Sequence, residues 1–207
     1  MRRHVKDPFT KLAKQDNTRS RAYYKFEEIV ERFKLFPRTL DAQRVVDLGS
    51  APGGWSVCAA EKLASKNGGL LVSVDLLPME PVPLKSPSIE AHFIQGDFTH
   101  HDIQREIEMI LKGERANLII SDMLHNTTGN RSRDHDISTG IVDTVLQFAT
   151  RHLAEGGTVV AKLLDGNSTK ALVKDTSELF TKVKLFKPKA SRKESAEMFL
   201  ICTGFRH

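Results

Sequence analysis

The chain has 207 residues, 40% of them hydrophobic, which is enough for one sizeable core and too few for two independent ones. Its net charge is +5, and its two cysteines, Cys58 and Cys202, sit in apolar segments without metal-ligand spacing, which excludes a disulfide-built scaffold and a cysteine zinc site. No apolar run reaches the roughly 18 residues that cross a bilayer, so no membrane association is expected.

Residues 1–35 read as a basic segment leading into a helix that packs on the core. Arg2, Arg3, Lys6, Lys11, Lys14, Arg19, Arg21 and Lys25 face only Asp7 and Asp16 over the first 25 positions. Within RAYYKFEEIVERF, residues Ala22, Phe26, Ile29, Val30 and Phe33 share one helical face. Lys25 lies beside that stripe, where it either reaches inward or snorkels to water. Tyr23 and Tyr24, next to Arg19 and Arg21, suit stacking on unpaired bases or ordinary packing.

Apolar strand-like runs follow at 44–48, 70–76, 91–95, 117–121, 158–164, 182–186 and 197–203, with helical periods between most of them. The stretch 78–87 holds four of the eight prolines and reads as an extended surface connection. His100, His101, His125 and His135 lack metal spacing, so no metal is expected. Asp134-His135-Asp136 reads as a loop followed by a helix start capped by Asp136 or Ser138. The helical face of Ile141, Val145, Phe148 and Ala149 should end at Gly156-Gly157. A second basic run, Lys182, Lys184, Lys187, Lys189, Arg192 and Lys193, contains no acid. The rest of the chain is net negative, and two basic segments on an acidic body imply a polyanion partner.

This alternation specifies an α/β fold with a mostly parallel seven-stranded sheet and helices on both faces. About ten residues separate the last two runs, too few for a crossover helix, so one edge strand is expected to be antiparallel. Ligands in such sheets bind at the carboxyl ends of the strands near a topological switch. Those ends hold Asp47, Asp75, Asp97 and Asp122, and Lys162 sits in the fifth run, a set of charges too costly to bury unpartnered. The corner VVDLGSAPGGWS has Gly49-x-x-x-Gly53-Gly54 with Pro52 and Trp55, not the Gly-x-Gly-x-x-Gly that brings a helix N-terminus onto a pyrophosphate. It suits an uncharged or zwitterionic ligand. Asp75, 26 residues past Gly49, can accept from two ribose hydroxyls and Asp97 from an adenine amino group, which together describe S-adenosylmethionine. A plain core turn is the alternative.

The blocks DLGSAPGGWS, VDLLPMEP, FIQGDFT, SDMLHN and LFTKVKLFKPKASRKESAEMFLICTG, in this order and spacing, resemble the FtsJ-type 2′-O-ribose RNA methyltransferases over nearly the whole chain. RRHVKDPFTKLAK and KPKASRKES look most like the mitochondrial branch, whose members methylate a uridine of large-subunit ribosomal RNA. The resemblance implies one Rossmann-like class I methyltransferase domain over 1–207 with S-adenosylmethionine as methyl donor. It implies a catalytic tetrad on Lys25, Asp122, Lys162 and Glu197, and donor contacts from Pro52, Gly53, Gly54, Trp55, Asp75, Asp97, Phe98 and Asp122. It further implies a monomer acting on ribosomal RNA or a large-subunit particle during ribosome maturation, in the mitochondrion, or in the cytoplasm if the chain is bacterial.

The residues support the tetrad separately. Lys162 interrupts a continuous apolar strand, where a lysine would otherwise be buried unpaired, and it is the expected base for the ribose hydroxyl. Glu197 opens the last strand, as a tetrad member or as an edge charge. One departure stands out: the family's Ser-Asp-Met-Ala-Pro-Asn reads SDMLHN, with Leu124-His125 in place of Ala-Pro. A non-catalytic RNA-binding factor would not need the tetrad, and a small-molecule methyltransferase would add a substrate cap for which few residues are left.

Overall fold

Each apolar run becomes a strand of one sheet in the computed structural model, which describes residues 19–37, 42–65, 68–192 and 194–206. In chain order the elements are α1 (Ala22–Phe33), β1 (Gln43–Leu48), α2 (Gly54–Ala64), β2 (Gly69–Asp75), β3 (Ile89–Gln95), α3 (His101–Ile110) and β4 (Ala116–Ser121). They continue with α4 (Arg131–His152), β5 (Leu153–Leu164), α5 (Thr169–Leu179), β6 (Phe180–Phe186) and β7 (Glu197–Phe205). The strand order is β3-β2-β1-β4-β5-β7-β6. Strands β1 to β5 pair in parallel, and β7 runs against its two neighbours. The edge strand β6 therefore meets its neighbour antiparallel, as the short final connection requires, while the reversed strand β7 lies one place inside the edge. The basic residues at 1–18 and Lys193 lie outside the described residues.

Period-two alternation divides the sheet into two apolar faces. Val45, Leu71, Ile120, Val160, Phe199 and Ile201 face Phe26 and Ile29 of α1 and Trp55 and Leu63 of α2. Val46, Val72, Ile119, Ala161, Leu163 and Leu200 face Ile107, Val145, Phe148 and Leu172 of the other three helices. Helix α1 follows its predicted stripe, and Tyr23 joins that buried side, with its hydroxyl donating to Glu61 Oε2 at 2.6 Å. Tyr23 is thus a packing residue and not a platform for bases.

Two expected boundaries differ. Helix α4 is capped by Asn130, whose side chain accepts from the Arg133 N–H, and not by Asp136 or Ser138. It also ends at His152 and passes directly into β5, so Gly156-Gly157 does not terminate it. The pair instead forms a bulge: Leu153 lies opposite Ala116 and Thr158 opposite Leu118, with Gly156 at φ +75° turning the extra residues outward. Glycine at a helix end and glycine at a bulge present the same sequence signal, because both need positive φ.

Beneath the sheet's carboxyl end, Phe26, Trp55 and Phe199 form one aromatic stack, with centroids 4.6 Å apart for Phe26–Trp55 and 5.5 Å for Trp55–Phe199. All three are essentially buried and come from α1, α2 and β7. Phe199→Ala is expected to destabilise the chain by about 3–5 kcal/mol, read as a shift in the urea midpoint at unchanged slope. A loss under about 1 kcal/mol would mean that the stack is not what joins these elements.

Candidate active site

Strand β1 lies between β2 and β4, so the chain departs in opposite directions from its two sides and leaves a crevice at its carboxyl end. Gly49 turns the chain there with φ +74°, and the Met123 side chain from the loop after β4 closes over it. A Cβ at position 49 would stand 1.9 Å from Met123 Cγ, so only glycine admits this approach. The crevice opens as a cleft of about 530 Å³ whose walls include Asp75, Asp97, Phe98 and Asp122, together with Gly49, Ala51 and His125. Asp75 is oriented by two backbone donors, the Ala51 N–H on Oδ2 and the Leu77 N–H on Oδ1, each at 2.8 Å. The Thr99 hydroxyl and N–H, at 2.7 and 2.9 Å from Asp97 Oδ1, hold the Asp97 carboxyl below its ordinary range.

A smaller recess adjoins the cleft behind Asp122, lined by Asp47, Ser50, Pro52, Gly54 and Trp55. Ser20 Oγ, Asp47 Oδ1, Ser50 Oγ and Trp55 Nε1 are buried around it without a hydrogen-bond partner among the described residues. Unpartnered acceptors beside unpartnered donors in one recess fit a zwitterionic group such as the amino-acid end of S-adenosylmethionine. The cleft with Asp75 and Asp97 fits a nucleoside. Burial pushes the Asp47 carboxyl up to about 7, opposed by the Ser56 hydroxyl at 2.6 Å and reinforced by the charges of Asp122 and Asp75. Gly53 caps α2 and packs against Arg19. Arg19, expected on phosphate, instead donates Nη1 to Pro52 O at 3.3 Å and to Glu80 O at 2.7 Å, and Nη2 to Pro81 O. It fastens the cofactor-type corner to the proline-rich connection.

The four tetrad positions converge. Lys162 Nζ stands 3.1 Å from Asp122 Oδ1, and Lys25 Nζ stands 2.7 and 2.9 Å from the two oxygens of Glu197. Alternation explains the placement: Lys162 is paired with Phe199 and Leu164 with Glu197, so these side chains share the face covered by α1. All four groups are largely shielded from solvent. Desolvation raises the Asp122 carboxyl, against the opposing charges of Lys162 and Lys25. Desolvation also acts upward on Glu197, but Lys25, the Ser191 hydroxyl at 2.7 Å and Lys162 together bring it below its ordinary value. Nothing in the sequence marks Ser191, because its partner is six residues away across an irregular loop.

That loop is bound to α1. The Lys189 N–H donates to Glu28 Oε2 at 2.7 Å, Arg21 donates to Ala190 O, and Lys187 Nζ donates to Ser195 O at 2.6 Å. Arg21 and Lys187, both expected on phosphate, thus also hold the loop. Arg21, Lys25 and Arg192 line a recess of about 180 Å³ that includes Glu197, so the two basic segments meet beside the tetrad. His135 is committed elsewhere, to Leu164 O at 2.7 Å and to Ser168. Among the described residues, no helix is long and apolar enough to cross a membrane.

Known proteins share this chain's sequence pattern and fold. The family model described as FtsJ-like methyltransferase matches residues 18–205. Ribosomal RNA large subunit methyltransferase E of Xanthobacter autotrophicus is 40% identical over 207 residues, covering 100% of this chain and 78% of its own. The protein of the same name from Marinobacter nauticus is 43% identical over 203 residues, covering 98% and 93%. Among solved structures, a Plasmodium falciparum protein assigned as a ribosomal RNA methyltransferase superposes with a TM-score of 0.76 at 25% identity, covering 90% of this chain and 98% of that one. Human methyltransferase-like protein 13, solved with SAH, shares the fold with a TM-score of 0.60 at 11% identity, covering 89% and 83%.

The raised Asp47 carboxyl has a consequence for stability. A folded-state value of about 7 against an ordinary 3.8 means that the native state resists ionisation, so stability falls as pH rises from about 4 to 7 and stays low above that. Asp47→Asn should therefore stabilise the ligand-free protein at pH 8 by on the order of 2–4 kcal/mol and leave it unchanged below pH 4. Urea unfolding at the two pH values measures this, and equal midpoints for both proteins at pH 8 would show that Asp47 ionises freely in the fold.

Proposed function

Because the chain belongs to the FtsJ-like methyltransferase family, we propose that it transfers the methyl group of S-adenosylmethionine to the ribose 2′-hydroxyl of a uridine in large-subunit ribosomal RNA during ribosome maturation. The observation that carries this reading is the Lys162–Asp122 pair, whose Asp122 borders both cleft and recess, beside a second buried pair of Lys25 and Glu197. The bound donor supplies an electrophilic methyl group on a sulfonium. Asp75 and Asp97 accept from its nucleoside, with Phe98 as an apolar wall. Pro52, Gly53, Gly54 and Trp55 shape the recess for its amino-acid end, and Asp122 borders both.

A ribose hydroxyl is a poor nucleophile until its proton is removed. Lys162 is the base in this reading, since it stands on Asp122 while Lys25 is engaged by both oxygens of Glu197. Asp122 orients Lys162, which takes the hydroxyl proton as the neutral amine and then stands as an ammonium paired with Asp122. Glu197, held by Ser191, fixes Lys25 as a neighbouring charge that positions the substrate. The aromatic stack below and the apolar strand around Lys162 keep water away, which strengthens these interactions.

Ribosomal RNA as substrate is supported by the names of the relatives and by the basic recess of Arg21, Lys25 and Arg192 at the tetrad's edge. In this reading the protein is a monomer, since cleft, recess and tetrad need no residue from a second copy. A mitochondrial location is carried by the terminal segments alone, and residues 1–18 lie outside the described structure. The relatives named above are bacterial and favour the other reading, action in a bacterial cytoplasm.

The test is single-turnover transfer to unmethylated large-subunit ribosomal RNA, with the modified ribose mapped afterwards. Lys162→Ala should lower the rate by about 10²–10⁴-fold while donor affinity stays within about threefold, and Lys25→Ala should be milder. A Lys162→Ala protein that methylates at the wild-type rate would remove Lys162 from the role of base. Equal collapse in both variants would mean that the two lysines act as one unit.

Phosphate contacts by the basic recess predict a steep salt dependence of RNA affinity. Neutralising Arg192 in the recess, or Lys189 on the same loop, should each lessen the logarithmic slope by about 0.7–0.9. A slope unchanged by both substitutions would place the RNA backbone elsewhere on the surface.

A further inference from the structure

The segment between β4 and α4 has no regular structure, yet Met123, Leu124, His125 and Asn126 line the cleft directly after Asp122. Such a wall needs fastening from outside itself, because no ladder of backbone hydrogen bonds fixes it. At its near end Met123 is wedged over Gly49. At its far end the segment is tied to Asp134 in the first turn of α4. Asp134 accepts the Thr128 N–H at 2.8 Å, the Thr128 hydroxyl at 2.8 Å and the Gly129 N–H at 3.1 Å. These donors, the Thr128 backbone first, hold its carboxyl down at about 2, so it is an anion at any working pH. Its fourth donor is His125 Nε2 at 3.1 Å, with side chains only 16% and 7% exposed. The Thr128 and Gly129 bonds lie beyond the residues that line the cleft. His125 is the point at which the Asp134 anchor reaches the cleft wall itself.

The FtsJ-type motif quoted above has proline at this position, where the ring fixes φ covalently. The dipeptide Leu124-His125 has no such restraint. We propose that His125 is a positioning residue, whose hydrogen bond to Asp134 holds the loop after β4 in the shape that the methyl donor requires. The inference rests on the reading of the cleft as the donor site. It assigns to a tertiary contact the rigidity that a proline would supply within the chain. A charge-assisted hydrogen bond in a shielded site is strong enough for the task.

The test is calorimetric titration of the full chain with S-adenosylhomocysteine, comparing wild type with His125→Ala, His125→Pro and His125→Gln, each checked by thermal unfolding. Loss of the contact in His125→Ala should weaken binding about tenfold with little change in Tm. His125→Pro should return it to within about twofold of wild type. His125→Gln, whose amide N–H can still donate to Asp134, should recover most of it even if the proline variant fails to fold. Steady-state transfer should show the same defect as a raised KM for the donor at near-normal kcat, a split that a general loss of structure would not give. Wild-type affinity in His125→Ala would overturn the proposal, as would a folded His125→Pro or His125→Gln that binds no better than His125→Ala. Failure of the wild-type protein itself to bind S-adenosylhomocysteine would overturn the donor-site reading, and this inference with it.

Discussion

Two lysines and two carboxylates, drawn from α1, the loop after β4, β5 and β7, neutralise one another at the carboxyl end of the sheet. An isolated ammonium on the interior face of β5 would be strongly unfavourable, so Lys162 demands Asp122. Lys25 on α1 likewise demands Glu197. Helix α1 therefore lies where its lysine meets the start of β7, and the antiparallel course of β7 between β5 and β6 brings Glu197 to the carboxyl end of the parallel strands. The aromatic stack of Phe26, Trp55 and Phe199 supplies the apolar floor for this charge cluster, with Lys25 Nζ 6.0 Å from the Phe199 ring centroid.

The donor corner follows the same logic with neutral and ionic groups mixed. Buried polar groups in folded proteins are nearly always hydrogen-bonded, yet four such atoms surround the recess at Asp47 and Trp55 without a partner among the described residues. Their clustering, together with the raised Asp47 carboxyl, marks a place whose stability is given up for binding. The surrounding backbone is correspondingly over-determined: Arg19 ties the corner to the proline-rich connection, Met123 wedges over Gly49, and Asp134 anchors the loop after β4. Rigidity is concentrated in loops because the strands only deliver residues to the crevice, while the loops shape it.

Much of this was legible in the residues. The strand runs agree with the observed strands to within two residues except at the start of β5, where the bulge at Gly156-Gly157 adds a segment that periodicity cannot see. Asp75, Asp97, Asp122 and Lys162 were identifiable as strand-end charges. What escaped reading depends on contacts that no local periodicity reports. Arg19 looks like any exposed arginine until the carbonyls of Glu80 and Pro81 arrive beside it, and Tyr23 looks like a stacking platform until Glu61 takes its hydroxyl. Ser191 and Asp134 carry no local signature, since a hydroxyl or carboxylate in a loop is ordinary until its partner is known.

The sequence by itself determined the α/β alternation, the two-faced strands and the glycine corner, because those depend on periodicities of 2 and 3.6 residues and on the special φ values of glycine, all local to the chain. Through the order and spacing of its motif blocks it also resembles the FtsJ-type methyltransferases, which implies the tetrad positions. Only the tertiary structure decided that Lys25 pairs with Glu197 and Lys162 with Asp122, that Asp47 is driven toward neutrality, and that His125 is tethered to Asp134. Those outcomes depend on burial and on distances of about 3 Å between groups that no periodicity relates, quantities that exist only once the chain has folded.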